Sequence, residues 1–282
     1  MPKHITLQQK EDVVKYYTSR PMTTSHVAET FNISKPKVLE ILNQYNIPRY
    51  TKVQLFSPQL NENYFKEIDT EDKAYFLGLI ISDGCIHNSK NKQQLLAITL
   101  QEKDKYILEK FLDCIGSNKQ ITSDGRGCYG IQILSNIMVN NLKQYGLCEN
   151  KSLRTIFPKN IPQPLYKHLI RGLIDGDGSY SFYSRENQNR HSHTKAIRFC
   201  QGNKQFIEDM IEYLSNTLNI SKPSIYQEKE NLWSIAYRKD TDMIKLIDFM
   251  YKDVKIYIKR KYNTVQKIYK ECSEYTDFKE KL

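Results

Sequence analysis

The chain has 282 residues, with 42 Lys and Arg against 32 Asp and Glu, which gives a formal net charge of +10. A basic surface attracts polyanions, so nucleic acid is the leading partner class. No run approaches the roughly 20 apolar residues of a membrane-spanning helix. Met1 to Lys10 also lacks the apolar core of a signal peptide. We therefore expect an intracellular protein that is not secreted and has no membrane partner.

The N-terminal residues 1–50 predict three short helices. Each has a hydroxyl side chain that can cap its first turn, namely Thr6, Thr23 or Thr24, and Ser34. The segment Thr24–Tyr45 resembles a helix-turn-helix, whose last helix, with Lys35 and Lys37 on its first turn, would enter the major groove of DNA. A plain three-helix packing unit is the alternative. The stretch Pro48 to Pro58 is mixed, basic and bounded by prolines, which is typical of a linker, and we place the linker at residues 51–68.

Beyond the linker the sequence repeats itself. An apolar helix ending in Asp-Gly is predicted at Tyr75–Gly84 (YFLGLIISDG) and again at His168–Gly178 (HLIRGLIDGDG). The terminal aspartates Asp83 and Asp177 are 177 − 83 = 94 residues apart, so the repeat has the size of a domain. The six cysteines form no Cys-x-x-Cys pair, which argues against a structural zinc site or a disulfide framework.

Matching elements follow each apolar helix and define halves at residues 69–160 and 161–282. The predicted strands are Leu95–Gln101, Tyr129–Leu134, Tyr180–Ser184, Ala196–Gln201 and Leu232–Arg238. The predicted amphipathic helices are Lys105–Ile115, Ile137–Tyr145, Gln205–Leu218 and Met243–Tyr251. Two signatures in register, each with the same downstream parts, make the repeat a strong signal.

The two signatures, Phe76–Gly84 (FLGLIISDG) and Ile170–Gly178 (IRGLIDGDG), resemble the LAGLIDADG family of homing endonucleases, in its single-chain form with two motifs. Ile81 stands where the family often has an acid, but that acid is not a metal ligand in the family. The resemblance covers roughly Asp69 to Lys270. It implies an α+β fold with two pseudo-symmetric αββαββα halves, whose antiparallel sheets bind DNA and whose signature helices pack together. The N-terminal helix-turn-helix adds a small all-α unit.

Small residues lie four apart on one face of each signature helix: Gly78 and Ser82 in the first, Gly172 and Gly176 in the second. They let the two helix backbones approach closely, which would make Asp83 and Asp177 neighbours. Two carboxylates at helix C-termini repel each other, and a divalent cation removes that conflict. The alternative is that each Asp-Gly merely ends a helix, but Asp is a poor residue for a last helical turn.

The expected metal is Mg²⁺, because carboxylate and carbonyl oxygens are its preferred ligands. The expected ligands are Asp83 and Asp177, with the backbone carbonyls of Ser82 and Gly176. By resemblance, Lys151 and Lys261 occupy the place of a basic residue near the cleavage centre, and Gln101 and Gln201 match a position that holds water around the metals. A lysine that contacts phosphate or is simply solvated is the alternative at both basic positions.

In the family each sheet lies along the major groove of double-stranded DNA, so alternate side chains reach the bases. Ala196, Arg198 and Cys200 face opposite to Ile197, Phe199 and Gln201. The polar segments Asn88–Gln94 and Arg185–His193 are predicted hairpin tips. The candidate DNA contacts in the repeat are Lys90, Lys92, Arg185, Arg190, Lys195, Arg198 and Arg238. Because the halves are unequal, we expect a monomer that binds a long target without perfect palindromy.

Two other functions fit the same signatures. One is a DNA-binding regulator built on a decayed LAGLIDADG scaffold, against which the retention of both Asp83 and Asp177 counts. The other is an intron maturase, for which intron RNA would be a further partner.

Overall fold

The computed structural model describes residues 5–19, 22–50, 59–88, 93–149, 151–187 and 190–280. The chain forms two compact units. One contains Met1–Asn61 with Glu109–Ile121, and the other contains Glu62–Leu108 with Thr122–Leu282. Within the described residues, no helix combines the length and the apolar character needed to cross a bilayer.

The first unit begins with three helices, α1 (Leu7–Ser19), α2 (Thr24–Thr30) and α3 (Lys35–Gln44). The predicted hydroxyl caps are confirmed, because Thr6, Thr23 and Ser34 each accept a hydrogen bond from the backbone amide three residues later. These helices bury a common core of Val13, Tyr17, Met22, Val27, Ala28, Val38, Ile41 and Leu42. The DNA contact predicted for this helical unit stays a prediction.

The repeat in the second part of the chain has the predicted order of elements. The first copy runs α4 (Glu71–Asp83), β1 (Gly84–Asn88), β2 (Gln94–Gln101), α5 (Lys105–Cys114), β3 (Thr122–Ser123), β4 (Cys128–Leu134), α6 (Asn136–Lys143) and α7 (Lys151–Arg154). The second copy runs α8 (Tyr166–Asp177), β5 (Gly178–Asn187), β6 (Arg190–Gln201), α9 (Lys204–Leu218), β7 (Tyr226–Lys229), β8 (Leu232–Tyr237), α10 (Asp240–Tyr251) and α11 (Lys259–Glu280). The α+β class with two αββαββα halves is confirmed.

Each half contains a four-stranded antiparallel sheet, and the two sheets share one topology. The strand orders are β1-β2-β4-β3 and β5-β6-β8-β7. In each half the signature helix leads directly into an edge strand, so Gly84 begins β1 and Gly178 begins β5. This connection ties the position of each terminal aspartate to one end of a sheet.

One face of each sheet packs on helices, and the other face is outward. In the first sheet the buried side chains alternate along the strands, with Leu96, Ile98 and Leu100 on β2 and Ile131 and Ile133 on β4. In the second sheet Ile197 and Phe199 are buried, whereas Arg198 and Cys200 between and beside them are half-buried. The predicted alternation along β6 is therefore present.

Several elements differ from the sequence prediction. The strands β1, β3 and β7 and the long helix α11 were not predicted. The segment Arg185–His193 lies at the distal end of the β5–β6 hairpin, as predicted, but it is paired strand and not a loop, since pairing continues through Arg185↔Ser192 to Asn187↔Arg190. Its polar composition indicated a loop, but backbone pairing continues irrespective of side-chain polarity in this long hairpin. In the first hairpin, residues 89–92 lie outside the described residues.

Candidate active site

The two signature helices cross at a pair of glycines. A methyl group in place of the Gly78 hydrogen would lie 2.2 Å from the carbonyl oxygen of Leu169, and one at Gly172 would lie 2.1 Å from that of Tyr75. Real Cβ atoms do not approach backbone oxygens so closely, so these two positions require glycine. The helices α4 and α8 therefore meet backbone to backbone, as the small-residue pattern predicts.

A second contact lies one turn closer to the C-terminal ends of the helices. The hydroxyl of Ser82 donates a hydrogen bond of 3.0 Å to the carbonyl oxygen of Leu173. A Cβ atom at Gly176 would lie 2.3 Å from the Cβ of Ser82 and 3.2 Å from Oδ2 of Asp83. The carboxylate of Asp83 thus lies beside the residue that precedes Asp177 on the other helix. The close packing brings the two helix ends together.

Asp83 and Asp177 are the last residues of α4 and α8. Asp83 is half-buried and Asp177 is exposed, so the pair faces solvent. Within the described part of the chain, no group of three or more His, Cys, Asp and Glu residues could hold a metal ion. Each half thus contributes one carboxylate at this place. Any further oxygen ligands would come from the backbone, water or a substrate.

Lys261 is almost entirely buried against the C-terminal end of α8, with 9% of its surface exposed. Its ammonium group donates to four backbone carbonyls, those of Ile174 (3.0 Å), Asp175 (2.5 Å), Gly176 (3.0 Å) and Gly178 (2.6 Å). These carbonyls carry the partial negative charge of the helix end. A cation at this position neutralises that charge and fixes the direction in which the chain leaves the helix.

The same ammonium group lies in the electrostatic field of both terminal aspartates. Burial lowers the pKa of Lys261, while the carboxylates of Asp175, Asp83 and Asp177 act to raise it. Lys261 is therefore brought close to the two predicted metal ligands, as the resemblance implies. Its hydrogen bonds go to the backbone of α8, and one of the acceptors is the Gly176 carbonyl expected to bind metal.

Asp175, the first acid of the second signature, is buried and joins the two halves. Its carboxylate accepts hydrogen bonds from the hydroxyl of Tyr75 on α4 (2.9 Å), the amide of Ile258 (2.9 Å) and the hydroxyl of Tyr251 (3.3 Å). Burial raises the pKa of Asp175, and its hydrogen-bond donors and Lys261 act in the opposite direction. The residue orients the chain that leads into α11, and hence Lys261.

Arg171 on α8 forms a second buried connection. Its guanidinium donates to the carbonyls of Ile256 (2.8 Å) and Met250 (2.7 Å) and pairs with Glu71 on α4 at 2.8 Å. Its Nη1 also lies 3.0 Å from Nδ1 of His168. Burial and the neighbouring guanidinium lower the pKa of His168 to about 4. Sequence reasoning did not select these residues, although an arginine inside an apolar helix signals a buried partner.

The other predicted catalytic residues occupy different surroundings. Gln101 ends β2 and is exposed, whereas Gln201 ends β6, is buried, and accepts a 2.7 Å hydrogen bond from the amide of Gly202. Lys151 begins α7, and its side chain lies outside the described part of the structure. The structure therefore brings Lys261 to the aspartates but does not place the Lys151 side chain.

The predicted DNA contacts in the second sheet are partly engaged within the protein. Lys195 pairs with Asp240 at 3.0 Å with 11% of its side chain exposed, and Arg198 pairs with Glu228 at 2.5 Å. Arg238 is exposed just beyond β8. Arg185 and Arg190 lie in the paired strands without described side chains, and Lys90 and Lys92 lie outside the described residues.

The basic residues predicted for the helix-turn-helix are on the first turn of α3. Lys35 is exposed, and Lys37 pairs with Glu40 at 2.7 Å. Both side chains are accessible to solvent at the start of the helix expected to enter the major groove.

Comparison with known proteins supports the resemblance. Residues 70–147 match the family model of the LAGLIDADG-like domain. Among solved structures, the LAGLIDADG meganuclease I-AabMI bound to uncleaved DNA has 18% identity and a TM-score of 0.53, over 73% of this chain and 91% of that one. I-CpaMI bound to uncleaved DNA has 15% identity and a TM-score of 0.55, over 72% and 92%. No curated protein sequence matches the chain.

A further similar structure is I-SmaMI bound to an uncleaved DNA target in the presence of calcium ions, with 15% identity and a TM-score of 0.52, over 73% of this chain and 92% of that one. At these identities the structural matches define the fold. The protein has the LAGLIDADG fold with both motifs in a single chain. Its residues 70–147 are similar to the LAGLIDADG-like domain.

Proposed function

We propose that the protein is a site-specific endonuclease of the homing type that hydrolyses both strands of double-stranded DNA with the help of Mg²⁺. The observation that carries this proposal is the crossing of α4 and α8 at Gly78 and Gly172, which brings Asp83 and Asp177 to adjacent helix ends. The solved structures with the same fold include meganucleases bound to DNA, and the net charge of +10 suits a polyanionic substrate.

The donor set fits a hard divalent cation. Asp83 and Asp177 each provide a carboxylate from a different half, and the Ser82 and Gly176 carbonyls lie immediately before them in the chain. Such oxygen donors suit Mg²⁺, with the remaining positions left for water and phosphate oxygens. Mg²⁺ held there would lower the pKa of an attacking water and stabilise charge on the phosphate.

The protein's own residues provide the rigid frame for this chemistry. The backbone contact at Gly78 and Gly172 leaves little freedom to the helix ends, and Lys261 fixes the carbonyls at the end of α8. A catalytic constellation held to a fraction of an ångström is more effective than a flexible one. A role of Lys151 or Lys261 in steadying the phosphate, and of Gln101 or Gln201 in holding water, belongs to this proposal.

We further propose that the protein acts as a monomer, because one chain contributes both signature helices. The sheets would lie along the major groove of a long target with unlike halves, and the helix-turn-helix would contact flanking DNA. The two half-sites need not have the same nucleotide sequence, since β1–β4 and β5–β8 carry different side chains.

The proposal is tested by incubating the full-length protein with duplex DNA from the genomic region around its gene, with Mg²⁺ or with EDTA. We expect cleavage of both strands, leaving short 3′ overhangs, only with Mg²⁺. Asp83→Asn and Asp177→Asn should each abolish cutting and retain specific binding, because binding energy comes mainly from sheet and phosphate contacts. Asp72→Asn, the same change at the opposite end of α4, is the matched control and should cut normally.

Sequence-specific DNA binding without cutting in any divalent metal would favour a regulator. Cleavage at the wild-type rate by either aspartate variant would exclude the shared metal site.

A further inference from the structure

In the described residues of β1, β2 and β4, the outward face of the first sheet carries no Asp, Glu, Lys or Arg. The outward positions are the odd-numbered residues of β1 and β2 and the even-numbered residues of β4, because their neighbours Ile86, Leu96, Ile98, Ile131 and Ile133 are buried on the helix side. Charged residues make up 26% of the chain, so composition alone does not account for this face.

The face instead presents amide, hydroxyl and aliphatic groups in ladder rows. His87, Leu95 and Leu134 form one row, Ala97 lies beside Gln132 in the next, and Thr99 lies beside Gly130 in the third. Leu134 is 46% exposed. Such a side chain gains free energy if another apolar group covers it.

The spacing of the rows suits the edges of stacked base pairs. Successive rows on one face of a strand lie roughly 7 Å apart, which is about the rise of two base pairs in B-DNA. At Gly130 a Cβ atom would lie 3.1 Å from Oγ1 of Thr99, so the glycine leaves the sheet surface beside Thr99 uncovered by a side chain. A base edge can approach the sheet closely at that place.

The side chains on this face favour particular bases. Gln pairs in a bidentate manner with adenine, and Leu, Ala and Thr methyl groups contact the thymine methyl group. Recognition of guanine uses Arg or Lys, and recognition of the cytosine amino group uses Asp or Glu. Gln, Leu, Ala and Thr are present at the described outward positions, whereas Arg, Lys, Asp and Glu are missing from them.

The second sheet differs in this respect. Arg198 lies on its outward face between Ser179 and Ala236 in the ladder. Glu228 holds the guanidinium at 2.5 Å, and the hydroxyl of Ser234 lies 3.4 Å away. A guanidinium oriented in this way can read guanine. The two halves therefore present different chemistry to the groove.

We propose that the first sheet reads an A·T-rich half-site, with Gln132 contacting adenine and Leu95, Ala97, Thr99 and Leu134 contacting thymine methyl groups. The second sheet, through Arg198, reads a half-site that includes guanine. This proposal rests on the proposed function, because it takes the occupant of the sheets to be the major groove of DNA.

The test is selection of binding sites by the full-length protein from a randomised duplex library, in EDTA so that no strand is cut. The wild-type protein should recover sites with one A·T-rich half. Gln132→Ala should reduce the preference for adenine at one position of that half by about 10-fold, and Gln132→Arg should replace it with guanine there. Arg198→Ala should alter the other half only. Asn140→Ala, an exposed amide on α6, is the control and should recover the wild-type site.

The outcomes separate this inference from the function on which it rests. If a defined site is recovered but the half that responds to Gln132 is rich in G·C pairs, the endonuclease proposal stands and the A·T assignment is overturned. Recovery of the wild-type site by both Gln132 variants would also overturn it, because the face would then have another occupant. If the wild-type protein enriches no sequence, both proposals fail.

Discussion

The carboxylate of Asp175 on α8 accepts a 2.9 Å hydrogen bond from the hydroxyl of Tyr75 on α4, which joins the two signature helices inside the protein. The same carboxylate accepts from the amide of Ile258, just before α11. One buried acid thus links both halves of the repeat to the segment that carries Lys261. The first signature has Ile81 at the corresponding place, so this connection is made from one side only.

Removing this connection should destabilise the fold. Tyr75→Phe deletes one donor to a charged acceptor and should lower the free energy of unfolding by about 2 kcal/mol. Asp175→Asn should cost more, because its amide group would face hydrogen-bond donors. Urea unfolding measures both changes, and the double variant should lose less than the sum of the single losses. Full additivity would show that the two side chains do not interact.

The glycine crossing predicts a larger effect. Gly172→Ala places a methyl group 2.1 Å from the Tyr75 carbonyl oxygen, so the helices must separate or bend. We expect the free energy of unfolding to fall by about 3 kcal/mol or more, at the upper end of overpacking effects. Thermal unfolding tests this, with the exposed Thr241→Ala on α10 as control. A Gly172→Ala protein as stable as the wild type would contradict the backbone contact.

Substitution of Lys261 distinguishes a structural role of this residue at the end of α8 from a direct catalytic role. Lys261→Met leaves four carbonyls at the end of α8 without their cationic donor, and we expect a loss of about 3 kcal/mol in the free energy of unfolding. Lys267→Met, an exposed site on the same helix, should have little effect. If Lys261→Met abolished cleavage at unchanged stability, a direct catalytic role would be favoured over the positioning of α8.

His168 predicts a specific dependence of stability on pH. Burial and Arg171 lower its pKa to about 4 in the folded protein, below the value of about 6.5 in an unfolded chain. Between these values the unfolded chain binds a proton that the folded protein does not. The contribution of neutral His168 is therefore fully present above pH 6.5 and is lost as the pH falls towards 4, by an amount on the order of 3 kcal/mol.

Comparison of His168→Gln with the wild type isolates this contribution from that of the carboxylates. The stability difference between the two proteins should change between pH 6.5 and 4 and remain constant above that range. His87→Gln, at an exposed strand position, should follow the wild-type pH profile. A constant difference for His168→Gln across the whole range would show that the histidine is not held neutral.

Local sequence pattern was sufficient for the signature helices and their contact. The apolar runs before Asp83 and Asp177 predict helices from neighbours in the chain, and small residues four apart define the helix face on which another backbone can approach closely. The long helix α11 was missed although Val265, Ile268 and Cys272 are buried at helical spacing. Three apolar residues in an otherwise polar segment are a weak signal.

Long-range polar partners could not be predicted in the same way. The Lys261 ammonium contacts carbonyls 83 to 87 residues earlier in the chain, and no spacing rule identifies a backbone acceptor at that distance. Arg198 illustrates the same limit, since its polar character indicated a DNA contact while its partner Glu228 depends on the pairing of β6, β8 and β7. Backbone geometry in the tertiary fold selects these contacts.

The helix-turn-helix interpretation predicts how binding changes with salt. Lys35 is exposed on the first turn of α3, where a recognition helix contacts DNA. If its ammonium group neutralises a phosphate, Lys35→Ala should lower affinity and reduce the slope of log K against log salt concentration by about 1, because one fewer counterion is released.

The measurement uses the full-length protein and its target in EDTA over a range of salt concentrations. Lys15→Ala makes the same change of charge at an exposed site on α1, and should leave the slope unchanged. Equal effects of both substitutions would indicate a general electrostatic contribution, and no effect of Lys35→Ala would favour the plain three-helix packing unit.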